Sequence, residues 1–177
     1  MTATRVWAIE PAHTHIAFSV RHLGLTNSWG VFKRFDAQLS FDPSSIETSS
    51  VTFEVETDSI DTGMELRDKH LKGVDWFDVQ THPKAIFKSR SVTLTNWDRY
   101  TVVGDLTIRG VTHPVEFTAL LTGHATNPWT QAKLTGFELT GAISRSAYGL
   151  GAFPGALSDT VHLRIETELA CSIDAPQ

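Results

Sequence analysis

A chain of 177 residues suits a single domain, 1–177, and a domain of this size buries about 70% of the surface its unfolded form exposes. Hydrophobic residues make up 41% and charged residues 20%, with no Gly/Ser-rich or single-sign run, which excludes a linker or a disordered tail. With 15 Lys and Arg against 20 Asp and Glu the formal charge is −5, a field that repels phosphate backbones and anionic membrane surfaces, so no nucleic-acid partner is expected.

The opening MTATRVWAIEPAHTH has no apolar run of about seven residues, so it does not read as a secretory signal, and no stretch approaches the roughly 20 residues that span a bilayer. The expectation is a soluble, cytoplasmic chain with no membrane span. From here period-two alternation dominates. Ile16, Phe18, Val20 and His22 share one face of a strand, and His15, Ala17, Ser19 and Arg21 share the other. A long strand follows, with Trp29, Val31, Phe35, Ala37, Leu39 and Phe41 on the apolar face and Lys33 as its exception; Phe32, Arg34, Asp36, Gln38 and Ser40 lie on the wet face. Val51, Phe53 and Val55 continue the pattern against Thr52, Glu54 and Glu56.

In TGMELRDKHLKG the period changes. Thr62 followed three residues later by Glu65 reads as a capping box, Leu66 and Leu71 share an apolar side, and Gly73 terminates a short helix. Segment 84–95 fits one apolar face through Phe87, Val92 and Leu94 only if a bulge shifts the parity near Ser89 to Ser91. Alternation then resumes in Tyr100, Val102, Leu106 and Ile108; in Val115, Phe117, Ala119 and Leu121; in Phe137, Leu139 and Ile143; and in Val161, Leu163, Ile165 and Leu169. The prolines, from Pro11 to Pro176, fall at turns, strand starts or the terminus. The single Cys171 reads as a small buried hydrophobe.

Strands on both sides of one helix, joined by turn-length connections, predict an all-β, closed antiparallel, lipocalin-like barrel of about eight strands with the helix capping or flanking it. Such a barrel is either filled by its own side chains or wide enough for one small ligand, and alternation does not separate the two. Small residues in the apolar parity class, Ala37, Gly104, Ala119 and Gly141, either leave room or let aromatics interdigitate in a solid core. If the barrel is hollow, the inward class nominates Phe18, Val20, Phe35, Phe53, Leu106, Ile108, Phe117, Phe137 and Leu163 as its lining. His22 and Arg145 share that parity near a barrel end, where they receive a polar headgroup or bond to the rim. Leu66, Leu71 and Phe77, turned inward, make the helical segment a lid or plug over one mouth, with Arg67, Asp68 and His70 fastening it to neighbouring strands.

Four segments, in order and at compatible spacing, resemble the YceI-like family of lipocalin-like polyisoprenoid-binding proteins over nearly the whole chain. PAHTHIAFSVRHLG is similar to its opening strand, with Thr14 where the usual His-Ser pair has Ser. DSIDTGMELRDKHLKGVDWFDVQTHPKAIFKS resembles its central signature, GDLTIRGVTHPV its later hairpin, and SRSAYGL its penultimate strand, with Tyr148 where Phe is expected. The resemblance implies a long apolar lipid inside the barrel, an isoprenoid quinone or polyprenol, and no further cofactor. It implies carriage or storage without chemistry. Relatives often form homodimers, which the residues themselves neither support nor oppose.

The competing reading is a hydrolase or metal-dependent enzyme. His13 and His15, two apart on a strand, project to one face and grip a metal ion only if more ligands join them, and no Glu follows at cupin-like spacing. Asp68 and His70 pair a carboxylate with an imidazole, but no nucleophile motif accompanies them. No phosphate loop, dinucleotide fingerprint or Cys-rich metal spacing occurs. No catalytic or metal-binding residues are therefore assigned.

Overall fold

The computed structural model describes residues 5–173. Eleven strands form one antiparallel sheet: β1 (Arg5–Ile9), β2 (His15–His22), β3 (Thr26–Phe32), β4 (Phe35–Ser40), β5 (Ser50–Glu56), β6 (Ile60–Asp61), β7 (Lys84–Asn96), β8 (Arg99–Ile108), β9 (Val111–Thr126), β10 (Lys133–Ser144) and β11 (Leu157–Ile173). Among the described residues a single α-helix, α1 (Glu65–Leu71), lies between β6 and β7. The sheet order is β4-β5-β7-β8-β9-β10-β11-β2-β3-β6, with β1 added to β11 beyond the end of β2. Among the described residues no ladder joins β4 to β6. The sheet is thus a curled half-barrel with two edges, where the sequence suggested about eight strands in a closed ring.

The β3–β4 region shows why. Trp29 to Phe41 reads as one strand, but the chain breaks at Lys33 and Arg34, and β3 and β4 end up far apart in the strand order. Lys33 pairs with Asp61, and Arg34 reaches Glu56 and Asp58. The break also reverses the expected faces of β3. Ile16 opposes Phe32, Phe18 opposes Gly30 and Val20 opposes Ser28, so Phe32 joins the inner face while Val31 is exposed; Trp29, of Val31's parity and also exposed, still reaches the cavity margin. Beyond the break the expected parity holds, with Phe35 opposite Val55 and Leu39 opposite Val51.

Elsewhere the alternation is realised. Tyr100, Val102, Leu106 and Ile108 are buried along β8, and Val115, Phe117 and Ala119 along β9. The bulge expected in β7 lies where parity demanded it, the register to β8 shifting between Ser89 and Ser91. Pro114 is an exception among the prolines, the fourth residue of β9 and opposite Asp105. It is tolerated because β10 pairs with β9 only from Phe117 onward, so its other side needs no ladder hydrogen bond. Pro176 lies outside the described residues. At one end Trp7 of β1 packs edge-on against Phe41 (5.1 Å between centroids), which in turn meets Phe137 (5.8 Å), so side chains bring the curled sheet's margins together where no strand pairing does. Cys171 is buried in this core, as its sequence context suggested.

Candidate binding cavity

The inner face encloses a cavity of about 600 Å³, within the usual range for small-molecule sites. Its wall is overwhelmingly apolar, and of the residues nominated from parity, Phe18, Val20, Phe53, Leu106, Ile108, Phe117, Phe137 and Leu163 all border it. Phe35 does not. It stacks on Phe53 (5.5 Å, 17° between planes) and packs against the core. Residues that parity did not nominate also line it: Ile16, Phe32, Ile60, Phe87, Tyr100 and Val102 among them. Phe32 was hidden by the break after it, and Ile60 lies in a two-residue strand too short to show a period; the others share the apolar class and were not singled out.

Glycines explain how so many rings leave space. A Cβ on Gly30 would collide with the Phe18 ring, one on Gly104 with the Phe87 ring, and one on Gly141 would lie 2.8 Å from the Phe117 ring. Each phenyl therefore occupies the space that a side chain at the facing glycine would fill. Of the two roles that parity left open for small residues, Gly104 and Gly141 take that of receiving aromatics rather than standing empty. Phe87 and Phe117 then meet edge-to-face at 5.3 Å, fixing both.

The helical segment closes part of one end. Leu71 and Phe77 line the cavity, Phe77 standing edge-on to Phe32 at 5.7 Å. Leu66 points away at 76% exposure, so it is not part of the lid. Met64, not Thr62, is the N-cap and makes no side-chain capping bond, so the capping box is not formed. The Asp68 carboxylate instead accepts from the Thr62 amide (2.9 Å) and hydroxyl (2.5 Å), while Arg67 donates to the Thr62 hydroxyl (2.7 Å) and carbonyl (2.8 Å). Both ties are local to the helix approach, not ion pairs to distant strands. His70 meets Trp76 and Phe153 edge-to-face, each at 6.1 Å, and Trp76 stacks on Phe153 at 6.2 Å. All three border the cavity.

His22 and Arg145 also border it. Arg145 is only 4% exposed, and its guanidinium is consumed by main chain, donating to the carbonyls of Leu150, Ala152 (2.8 Å), Leu157 (3.2 Å) and Ser158 (2.8 Å). Its planar fork suits such a task. The side chain ties the 145–158 loop across the cavity end and sits over the Trp76 ring at 5.8 Å. Rim bonding thus takes up four donors of a residue also nominated for a headgroup.

The groups considered for chemistry do not assemble. His13 lies in a short 3₁₀ turn beside Glu168 (3.4 Å), and His15 is exposed at the start of β2. Asp68 faces Thr62 while His70 packs against aromatics, so the two form no dyad. Among the described residues no group of three or more His, Cys, Asp or Glu is disposed to hold a metal ion, and no helix is long and apolar enough to cross a membrane.

Fold and cavity together define a class: a curled antiparallel sheet whose inner face is an apolar container. Residues 7–169 match the YceI-like domain, and the chain belongs to the YceI-like family. It is 36% identical over 159 residues to a UPF0312 protein of Yersinia pestis (strain Pestoides F), covering 90% of this chain and 82% of that one. BcnA of Burkholderia cenocepacia superposes with a TM-score of 0.80 at 26% identity, covering 90% of this chain and 98% of the other. A polyisoprenoid-binding domain from Saccharophagus degradans shares the fold, with a TM-score of 0.69 at 12% identity over 96% of this chain and all (100%) of that one.

Proposed function

We propose that the protein holds a long apolar lipid, an isoprenoid quinone or polyprenyl chain, in its cavity without altering it. The observation that carries this reading is the apolar lumen of about 600 Å³ inside a sheet whose glycines give three of its aromatic rings room at the wall. The likeness to the polyisoprenoid-binding domain of Saccharophagus degradans supports the same ligand class. Transfer of each tail methylene from water contributes about 0.8 kcal/mol, so a single chain supplies ample affinity with no covalent step. Apolar contact discriminates length weakly, which suits carriage or storage better than a selective reaction. Incubation with isoprenoid quinones and fatty acids tests this: saturable, one-to-one uptake with ligand recovered intact is expected. Turnover of any bound lipid would replace this reading with an enzymatic one.

A further inference from the structure

The formal charge of −5 is unevenly placed. From Ile16 to Arg34 and from Arg145 to Leu157 the chain has no Asp or Glu. These two segments meet at one end of the cavity, where the Leu23 amide donates to the Ala156 carbonyl (2.7 Å), joining the β2–β3 turn to the loop carrying Phe153. The joined rim is oily where a turn is ordinarily polar. Leu25 is 74% exposed, Leu23 and Phe153 are more than half exposed, and both adopt the left-handed conformation (φ 50° and 56°), in which Gly or Asn would be unstrained. Trp29, exposed on the stretch of β3 that β6 leaves uncovered, also lines the cavity, as Phe153 does. Arg21 and Arg67 flank this end, donating to the carbonyls of Leu25 and Thr62, and neither forms an ion pair among the described residues.

Exposed apolar side chains held in costly conformations, continuous with an apolar cavity and flanked by Arg21 and Arg67, match a lipid surface better than water. We propose that this mouth docks onto a bilayer containing anionic lipid, with Leu23, Leu25 and Phe153 entering the headgroup layer and Arg21 and Arg67 facing its phosphates. The inference rests on the lipid-holding function above, since an insoluble cargo needs a path that avoids water. Net repulsion by the whole molecule does not oppose it, because screening confines electrostatics to about 10 Å and the two rim segments themselves carry no Asp or Glu, while Asp68 beside Arg67 is held on Thr62.

Sedimentation of the full chain with cargo-free phosphatidylcholine vesicles, with and without phosphatidylglycerol, tests the proposal. Binding should fall about tenfold when phosphatidylglycerol is omitted. Leu23→Asn/Leu25→Ser, at positions outside the cavity lining, should lose at least about tenfold. Trp97 and Trp129 are 95% and 87% exposed at hairpin tips on the opposite end of the sheet, so Trp97→Ser/Trp129→Ser should bind like the unmodified protein. Hydrogen exchange on the unmodified chain gives a second readout independent of any variant: vesicles should slow residues 21–27 and 151–156 and spare 96–99 and 127–131. Failure to pellet, unchanged binding of the Leu23/Leu25 variant, or protection at the Trp97 and Trp129 tips instead would overturn the proposal. Quinone delivered from cyclodextrin keeps the two ideas separable: uptake by both the unmodified chain and the Leu23/Leu25 variant shows an intact cavity whatever the vesicles do, and no uptake by the unmodified chain sinks the cargo reading itself.

Discussion

Tyr148 is 2% exposed, and its phenolic oxygen finds no hydrogen-bond partner among the described residues; burial alone pushes its pKa upward. His113 packs edge-on to its ring at 5.1 Å, so the ring is well used while the hydroxyl is not. The family resemblance led us to expect Phe here, and the structure supplies a physical reason, since a buried unsatisfied hydroxyl costs about 1–3 kcal/mol. Tyr148→Phe should therefore stabilise the fold by about 1 kcal/mol, read as a higher midpoint in urea at unchanged slope. A lower midpoint would mean that the hydroxyl has a partner, such as an ordered water. Thr14 is the opposite case. Its hydroxyl donates to the Glu10 carbonyl and bonds Thr167, both at 2.9 Å, so it performs what the Ser of the family pattern could perform.

Most strands and their inner faces were legible because antiparallel burial on one side writes period two into the sequence. The β7 bulge was legible too, since only an inserted residue reconciles Phe87 with Val92 and Leu94. The β3–β4 break was not, because Lys33 looked like one exception within a strand and its partner Asp61 is distant in sequence. The same limit applies to α1: the Thr62–Glu65 spacing fits a capping box, yet Asp68 competes successfully for the Thr62 amide. The loop after β10 depends on another carboxylate. Asp159 accepts from the Ser144 hydroxyl (2.5 Å) and the Ser146 amide (2.9 Å), and these bonds, with Arg145 nearby, hold its pKa below the ordinary value. A depressed folded-state pKa stabilises above the unfolded value, about 4, and that contribution is lost as pH falls through the folded one. Asp159→Asn should thus be less stable than the parent at pH 6 and converge with it near pH 2. A gap that persists undiminished at pH 2 would assign the effect to packing instead.

For the molecule as a whole, the curled sheet, the glycine-backed rings and the α1 segment matter because together they leave one apolar volume partly shielded from water. Hollow and filled interiors give the same alternation, so the cavity itself was the part of the site least legible from sequence; it depends on ring orientations set by cross-strand register. Leu71 and Leu66 make a matched pair, one bordering the cavity and the other exposed on the same helix. Leu71→Asp places an unpaired carboxylate against the cargo, at a cost well above the few kcal/mol that the leucine side chain contributes there, and should abolish most lipid retention in protein that circular dichroism shows to be folded. Leu66→Asp should retain its load. Equal retention by both would remove the helical segment from the cavity wall.

Whether the lumen carries lipid is tested most directly by native mass spectrometry of the protein purified without detergent, followed by organic extraction. A mass excess of one apolar molecule per chain is expected, released intact on activation and recovered in the organic phase as a long-chain lipid. Protein that carries only its own mass, and that stays so after incubation with isoprenoid quinone, would contradict a lipid-holding role.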